Sequence, residues 1–213
     1  FAAMIRELQR TQDELFKSID SLKKQEKALQ ESNSQLKLRE ARVQELERIL
    51  NSKDSAQAAL KESLTKALLG FNNNGLTIVK KNGKVYVSME EQLLFASGST
   101  VVDPRGEEAL KKLAEVLEKN PDVNILIEGH TDNVPIKGGN IKDNWDLSVL
   151  RATSVVRILS KHAKINPERM MPAGHGEYLH IDPGNSAEAR RKNRRIEIIL
   201  SPKVDELLQL LEQ

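Results

Sequence analysis

Glycine and proline are both absent from the first 69 residues of this 213-residue chain, although eleven glycines and seven prolines follow from Gly70 onward. These two residue types disfavour a helix interior most strongly, so their absence predicts one long helix over residues 1–69. Apolar residues recur every seven positions in this segment, at Leu8, Leu15, Leu22, Leu29, Leu36, Val43 and Leu50. A heptad repeat is typical of a coiled coil, and we therefore expect a stalk.

The repeat has a weak second row, because most positions between its apolar residues are polar, with Ile19 as an exception. The polar positions hold Gln12, Glu26, Asn33, Glu40 and Glu47. Two arrangements remain open: a single solvated helix, or a helix that associates with a second copy. We expect a homodimer through residues 1–69, since a single helix would leave the whole apolar stripe in water. Asn33 could then set the register by pairing with its counterpart.

The overall composition excludes several classes of function. The chain has 33 Lys and Arg against 31 Asp and Glu, so it lacks the basic excess of a nucleic-acid-binding protein. The lack of cysteine excludes disulfides and thiolate nucleophiles. No stretch reaches the roughly 18 apolar residues that span a bilayer. Because the sequence starts at Phe1 rather than Met, we expect any membrane attachment to come from an upstream anchor.

Beyond Gly70 the pattern changes to short apolar runs separated by turn residues. Asn82-Gly83 lies between two β-rich runs and predicts a hairpin, and Asp103-Pro104 is a typical helix start. The remaining predicted elements are a strand at Val123–Gly129, a helix from Asp146, and strands at Arg169–Gly174 and Arg195–Leu200. We therefore predict an α+β domain with a mixed sheet at residues 71–202 and a short C-terminal helix at 203–213.

Polar side chains gather where the strand before His130 ends and the next helix begins. Asp132 follows this strand closely, and Arg151 lies in the helix. At the carboxyl end of a strand such side chains face a crevice. Asp132 can accept a hydrogen bond from an ammonium and Arg151 can bind a carboxylate through two hydrogen bonds, which suits a zwitterionic amino-acid end. The spacing equally allows Asp132 and Arg151 to pair with each other.

Six blocks in this part of the sequence resemble the OmpA/MotB C-terminal family. They cover roughly residues 76–201 and are Leu93–Ser99 (LLFASGS), Gly129–Pro135 (GHTDNVP), Asn144–Ala152 (NWDLSVLRA), Val155-Val156, Gly174–Gly176 and Asn193-Arg194-Arg195. The resemblance implies a β-α-β-α-β-β mixed sheet with helices on one face. It also implies a periplasmic domain of the cell envelope that binds the diaminopimelate-containing stem peptide of peptidoglycan noncovalently, without a cofactor or enzymatic activity.

The resemblance assigns ligand binding to six residues by their positions in these motifs. They are Asp132 and Arg151 as the principal ligand residues, Asn144 and Arg194 as weaker assignments, and Thr131 and Asn133 as loop contacts. The sequence departs from many members at Phe95-Ala96, where they have Phe-Asp. This form is closer to the flagellar stator subgroup, which is the alternative within the family. A stator subunit needs a transmembrane helix, and the heptad stalk differs from that subgroup's usual short linker.

Other chemistries find less support in the residues. A metal site could combine His130, Asp132, His175 and His180, but no close spacing such as HExxH supports it. A cell-wall hydrolase could use Ser148 with His130 and Asp132, but no nucleophile elbow surrounds the serine. The basic run Arg190–Arg195 could face anionic wall groups or lie in solvent. We predict a noncovalent peptidoglycan anchor.

Overall fold

The computed structural model describes residues 1–136, 138 and 141–203, with the side chains of 72–74 left aside. The chain forms two compact units: one is Phe1–Leu50, and the other begins at Asn51 and contains the rest of the described residues. Apart from Lys203, the predicted C-terminal helix lies outside this description. Within it, no helix combines the length and the apolar run that crossing a membrane requires.

The described residues form α-helices, two 3-10 helices and a single β-sheet. The α-helices are α1 (Ala2–Ala67), α2 (Glu91–Leu94), α3 (Pro104–Glu118), α4 (Asn144–His162) and α5 (Ala187–Asn193), and the 3-10 helices are Leu69–Asn74 and Pro167–Arg169. The strands are β1 (Leu76–Lys81), β2 (Lys84–Glu90), β3 (Val123–His130), β4 (Met170–Gly174) and β5 (Arg195–Pro202). The predicted α+β class and long N-terminal helix are confirmed.

The sheet is mixed and has the strand order β1-β2-β5-β3-β4. β5 is central and runs antiparallel to both β2 and β3, whereas β4 pairs with β3 in parallel. Apart from the short helices α2 and α5 and a 3-10 turn, the chain from β2 to β5 follows the expected β-α-β-α-β-β order, and β1 adds an edge strand. The β1–β2 turn confirms the hairpin: Asn82 and Gly83 have φ angles of 51° and 66°, the left-handed values that a tight two-residue hairpin requires.

One face of the sheet carries the hydrophobic core. Alternate residues of β2, β3 and β5 are buried, including Val87, Ile127 and Ile198. They belong to the same core as the apolar residues of α3 and α4, such as Leu113 and Val155. Because strand side chains point alternately to the two faces, this pattern packs α3 and α4 against one face of the sheet.

The end of α1 and the residue that follows it belong to this core. Leu60, Leu64 and Leu68 are at most 3% exposed, and Lys80 in β1 forms a 2.5 Å ion pair with Asp54. The sequence placed residues 51–69 in the stalk, whereas the folded unit begins at Asn51. The reason is a change in spacing: these leucines recur every four residues, which places them on one helix face that packs against the core rather than continuing the heptad seam.

The unit Phe1–Leu50 is a solvated length of α1. Its heptad residues are exposed, and Leu22, for example, is 61% exposed. Ion pairs within the helix, such as Lys24 with Asp20 at 2.8 Å, stabilise its polar faces weakly. The apolar stripe that motivated the expectation of association is therefore present and uncovered in the single chain.

The two long helices of the folded unit, α3 and α4, both follow an aspartate at the N-cap position. α3 starts at Pro104 after Asp103, as predicted. α4 starts at Asn144, two residues before the predicted Asp146, because Asp143 is the N-cap and its carboxylate accepts a 3.0 Å hydrogen bond from the Asp146 amide. This earlier start places Asn144 in the first turn of the helix.

Candidate functional site

A cleft of about 410 Å³ lies where the carboxyl end of β3 meets the start of β5. Five segments of the folded unit line it: α2, residues 95–98, the loop 131–136, the first turns of α4, and the junction between α5 and β5. These segments are far apart in sequence. The sheet order brings them together because β5 pairs directly with β3.

A chain of four charged side chains crosses this cleft. Arg194 Nη1 donates a 2.6 Å hydrogen bond to Asp132 Oδ2, and Arg194 Nε lies 2.5 Å from Glu91 Oε2. The other oxygen of Glu91, Oε1, accepts a hydrogen bond from Arg151 Nη2. The two guanidinium groups therefore share Glu91. Two positive and two negative groups give this chain no net charge, so it complements a ligand that carries both charges.

Arg151 is held from several sides and is only 2% exposed. Its Nε donates a 2.8 Å hydrogen bond to the Ser99 carbonyl, and its guanidinium carbon lies 5.0 Å from the centre of the Phe95 ring. The ring face and the carbonyl fix the plane of the guanidinium. Arg151 is thus positioned before any ligand binds, which lowers the entropy lost on binding.

The loop that carries Asp132 is also fixed. Asp132 Oδ1 accepts a 3.1 Å hydrogen bond from the Val134 amide, and the Thr131 amide donates to the Gly176 carbonyl at 2.8 Å. The side chain of Asn144 reaches this loop from α4 and donates to the Asp132 carbonyl at 3.3 Å. These hydrogen bonds hold the carboxylate at the cleft, where it is 6% exposed.

The charge of Arg194 is secured by its neighbours. Burial lowers the pKa of Arg194, but the hydrogen bond with Asp132 and the charge of Glu91 outweigh it, so the pKa lies above its ordinary value. About a third of the Arg194 side chain is exposed, 34%. Arg194 is therefore the most exposed member of the charged chain.

Five of the six residues that the sequence assigned to ligand binding line the cleft: Thr131, Asp132, Asn144, Arg151 and Arg194. Asn133 does not, since its amide group donates instead to Asn185 Oδ1 at 2.8 Å on the exposed side of the loop. The alternative in which Asp132 and Arg151 pair with each other is wrong, because each has a different charged partner.

Glu91 is the residue of the cleft that the sequence did not reveal. It binds both arginines of the charged chain and is the first residue of α2. The only signal was its place two residues before the Leu93–Ser99 block, and three acidic or amide residues there look alike: Glu90, Glu91 and Gln92. Only the strand pairing that sets the end of β2 beside β5 distinguishes Glu91 from its neighbours.

The basic run Arg190–Arg195 does not form one patch. Arg194 faces the cleft, whereas Arg195 is 4% exposed and bonds Glu197 at 2.6 Å on the other side of the strand. Arg191 approaches Glu90 at 3.7 Å, and Lys192 approaches Glu188 at 3.2 Å. Arg191 in α5 and Arg194 at the junction before β5 line the cleft, whereas Arg195 does not.

Two glycines let α4 approach the sheet closely enough to place Arg151. Gly129 and Gly174 are partners in the β3–β4 register, and a Cβ atom on either would overlap Ser148 of α4. Ser148 is fully buried, and its hydroxyl donates to the Trp145 carbonyl at 2.9 Å and accepts from the Gly176 amide at 3.1 Å. Ser148 thus connects the helix to the loop after β4 and is not presented as a nucleophile in the cleft.

His130 lies on the opposite face of the sheet from the core. Its ring stacks on that of His175 with centroids 5.0 Å apart, and Glu128 lies 3.6 Å from His130 Nε2. Burial lowers the pKa of His130, while the His130 contact is the main cause of a lowered pKa at Glu128. Glu128, His130 and Glu197 lie close together, but Asp132, which the sequence grouped with His130 as a metal ligand, is bonded to Arg194.

The fold and cleft define a class of small α+β domain that presents a charge-balanced cleft at the ends of its central strands. Residues 94–194 match the OmpA family, so the chain carries an OmpA-like domain with an OmpA-like fold. This finding confirms the family suggested by the motifs.

Known proteins similar to the chain include motility and cell-wall-anchor proteins. Motility protein B of Bacillus subtilis is 34% identical over 55% of this chain and 45% of its own length. A crystal structure of a MotB-like protein from Desulfovibrio vulgaris has a TM-score of 0.66 at 27% identity, covering 73% of this chain and 96% of that one. The cell wall anchor of the T6SS from Pseudomonas aeruginosa has a TM-score of 0.60 at 27% identity, covering 66% and 97%. The chain thus spans less than half of the Bacillus subtilis protein.

Proposed function

We propose that the OmpA-like domain binds peptidoglycan noncovalently and thereby anchors a cell-envelope protein to the wall. The ligand is the diamino acid of the stem peptide, whose free end carries an ammonium and a carboxylate. In this assignment Asp132 accepts from the ammonium, and the guanidinium groups of Arg151 and Arg194 receive the carboxylate. The observation that carries the proposal is the charge-balanced chain Asp132–Arg194–Glu91–Arg151 across the cleft.

The surroundings of the cleft favour binding rather than bond cleavage. Its charged groups are already paired, as expected for a site that exchanges internal ion pairs for equivalent pairs with a ligand. The hydroxyl of Ser148 is engaged in two hydrogen bonds at the buried base of α4. We therefore assign the domain a role as a binding module without enzymatic activity, on the periplasmic side of the envelope, where peptidoglycan lies.

A flagellar stator subunit is the second candidate function. It is favoured by the 34% identity to Motility protein B of Bacillus subtilis over 117 residues. Both candidates use the same cleft to hold the wall, and they differ in what the domain is attached to. Sequencing upstream of Phe1 distinguishes them, because a stator requires one apolar helix that carries a buried acid.

The test is sedimentation of the purified chain with isolated sacculi. Wild-type protein should sediment with the sacculi and release no soluble muropeptides, whereas release would indicate a hydrolase. Asp132→Ala and Arg151→Ala should each weaken binding by about 2 kcal/mol or more, because each removes half of a desolvated charged contact. Arg157→Ala removes an exposed arginine from the same helix and serves as the matched control.

Competition by small ligands tests the zwitterion itself. Free diaminopimelate should compete with sacculi, and a lysine-containing stem peptide that lacks the side-chain carboxylate should compete less well. Equal competition by the two would remove the role given to Arg151. Retention of wild-type binding by either cleft variant, in protein shown to be folded, would overturn the proposed site.

A further inference from the structure

Trp145 and Tyr178 form a stacked aromatic pair on the surface. Their ring centres are 5.2 Å apart with planes inclined by 26°, yet the residues are 47% and 65% exposed. Trp145 lies in the first turn of α4, and Tyr178 lies in the loop after β4. The loop turns beside the Trp145 ring at Gly176, whose φ angle of 54° is one that residues with a side chain rarely adopt. The fold therefore holds two large aromatic rings together while leaving them in solvent.

This aromatic pair lines a second cleft of about 210 Å³. The cleft that holds the chain Asp132–Arg194–Glu91–Arg151 is called the charged cleft below. Pro135, Ile136 and Asn144 line both clefts, so the two adjoin. Asn144 forms the partition: its amide group donates to the Val134 carbonyl at 3.2 Å and to Glu177 Oε2 at 2.9 Å. If a ligand places an amino-acid end in the charged cleft, the rest of the ligand extends either into solvent or over this aromatic pair.

The chemistry of the second cleft suits a sugar ring. A pyranose has a face of C–H bonds, which packs on an aromatic ring, and an edge of hydroxyl groups, which bind carboxylates and amides. Here the aromatic faces of Trp145 and Tyr178 lie beside the carboxylates of Asp143 and Glu177. The apolar side chain of Ile136 provides a contact for an acetyl methyl group. A dry protein interface would instead place few charged groups around its aromatic centre.

We propose that Trp145 and Tyr178 form a subsite for an N-acetylated amino sugar of the glycan strand from which the stem peptide branches. This inference rests on the proposed function, because the sugar reaches the subsite through its link to a peptide held in the charged cleft. The domain then recognises two chemically different parts of one wall ligand. The contact with the sugar increases the affinity for the wall without adding a charged contact.

Calorimetry with two matched ligands tests the subsite. A disaccharide-linked stem peptide should bind wild-type protein about five- to tenfold more tightly than the free stem peptide, the range expected for one aromatic packing contact. Tyr178→Ala should remove this difference and leave the affinity for the free stem peptide unchanged. Tyr178→Phe keeps the ring and should keep the difference. Both substitutions are at an exposed side chain, so folding is preserved.

Fluorescence provides a local readout, because Trp145 is the only tryptophan in the chain. The disaccharide-linked ligand should protect Trp145 from acrylamide quenching, and a longer stem peptide without sugar should protect it less. Equal affinities for the two matched ligands, or equal protection by the longer peptide, would overturn the subsite while leaving stem-peptide binding intact. If Asp132→Asn does not weaken stem-peptide binding, the proposed function fails. The subsite is then judged by whether the disaccharide alone binds in a manner that Tyr178→Ala abolishes.

Discussion

Glu91, the first residue of α2, binds the guanidinium of Arg151, which lies sixty positions later in α4. The carboxylate of Glu91 also contacts Arg194, so one acid orients both arginines of the cleft. A ligand carboxylate that binds Arg151 must share this guanidinium with Glu91. In the proposed site, the affinity for such a ligand would depend on the balance between an internal ion pair and an external one, and this balance can be changed without altering any residue assigned to the ligand.

The first prediction concerns the stability contributed by Glu91. Glu91→Ala leaves the buried guanidinium of Arg151 without a charged partner, so the free energy of unfolding should fall by about 3 kcal/mol. Urea denaturation followed by circular dichroism measures this change. Glu115→Ala, at an exposed position of α3, is the control and should change stability by less than about 0.5 kcal/mol. Equal stability of the two variants would show that Arg151 does not depend on Glu91.

The sequence predicted turns and helix starts well where neighbouring residues alone determine them. Asn82-Gly83 predicted the hairpin because both residues tolerate the left-handed conformation. Asp103-Pro104 predicted the start of α3 for a similar local reason. The start of α4 was placed too late because Asp143 and Asp146 are both plausible caps, and only the backbone geometry selects Asp143.

Partners across the cleft could not be predicted, because they depend on strand order rather than on spacing. The motifs identified Asp132, Arg151 and Arg194, yet gave no way to decide which acid binds which arginine. The pairing of β5 with both β2 and β3 makes that choice by bringing Arg194 between Glu91 and Asp132. The extent of the folded unit was missed for a related reason, since the packing of residues 51–69 against the core is a long-range contact.

The second prediction tests the close approach of α4 to the sheet. Gly129→Ala introduces a Cβ atom that overlaps the backbone of Ser148, so either the helix or the strand must move. We expect a loss of about 1–3 kcal/mol in stability together with weaker sacculus binding, because Arg151 lies one turn further along the same helix. Gly70→Ala is the matched control, since nothing lies within 4 Å of a Cβ at that position. If folded Gly129→Ala binds sacculi as well as the wild type does, the position of α4 does not control binding.

The third prediction concerns pH and follows from His130. Burial lowers the pKa of His130 below its ordinary value of 6.5, so below about pH 6.5 the unfolded chain binds a proton that the folded chain resists. Stability should therefore fall as the pH drops from 7.5 to 5.5. The lowered pKa of Glu128 adds stability that is present above its ordinary value of 4.5 and lost as the pH falls through its lower folded value.

Urea midpoints at several pH values test this assignment. In His130→Gln the decline between pH 7.5 and 5.5 should be smaller than in the wild type, whatever the absolute stability of the variant. Glu197 and Arg195 also face His130, with opposite effects on its pKa. An unchanged decline in His130→Gln would assign the pH dependence to another group.

The fourth prediction tests where the folded unit begins. A fragment from Asn51 to the C-terminus keeps Leu60, Leu64 and Leu68, whereas a fragment from Phe71 loses all three from the core. Each fully buried leucine contributes about 1.5–3 kcal/mol, so the shorter fragment loses an amount comparable to the whole stability of an ordinary domain. Thermal unfolding should be cooperative for the longer fragment and absent or strongly shifted to lower temperature for the shorter one. Similar melting of both would place α1 outside the core.

The last prediction concerns the heptad stripe of residues 1–50, which the single chain leaves in solvent. If a second copy covers the stripe, Leu22→Glu together with Leu29→Glu should convert a dimer to a monomer in sedimentation at tens of micromolar, because both leucines, 61% and 62% exposed, then carry like charges at the seam. Ser21→Glu with Ala28→Glu adds the same charge at the same seven-residue spacing, at exposed positions outside both rows, and is the control. Loss of the dimer should weaken binding to multivalent sacculi, since a linked second domain rebinds at high effective concentration, but should not change the affinity for a single soluble stem peptide.

Wild-type protein that sediments as a monomer, or a double variant that remains dimeric, would contradict this role for the stripe. The dimer should be weak, because in the heptads of Gln12, Glu26, Glu40 and Glu47 each helix can bury one apolar side chain rather than two.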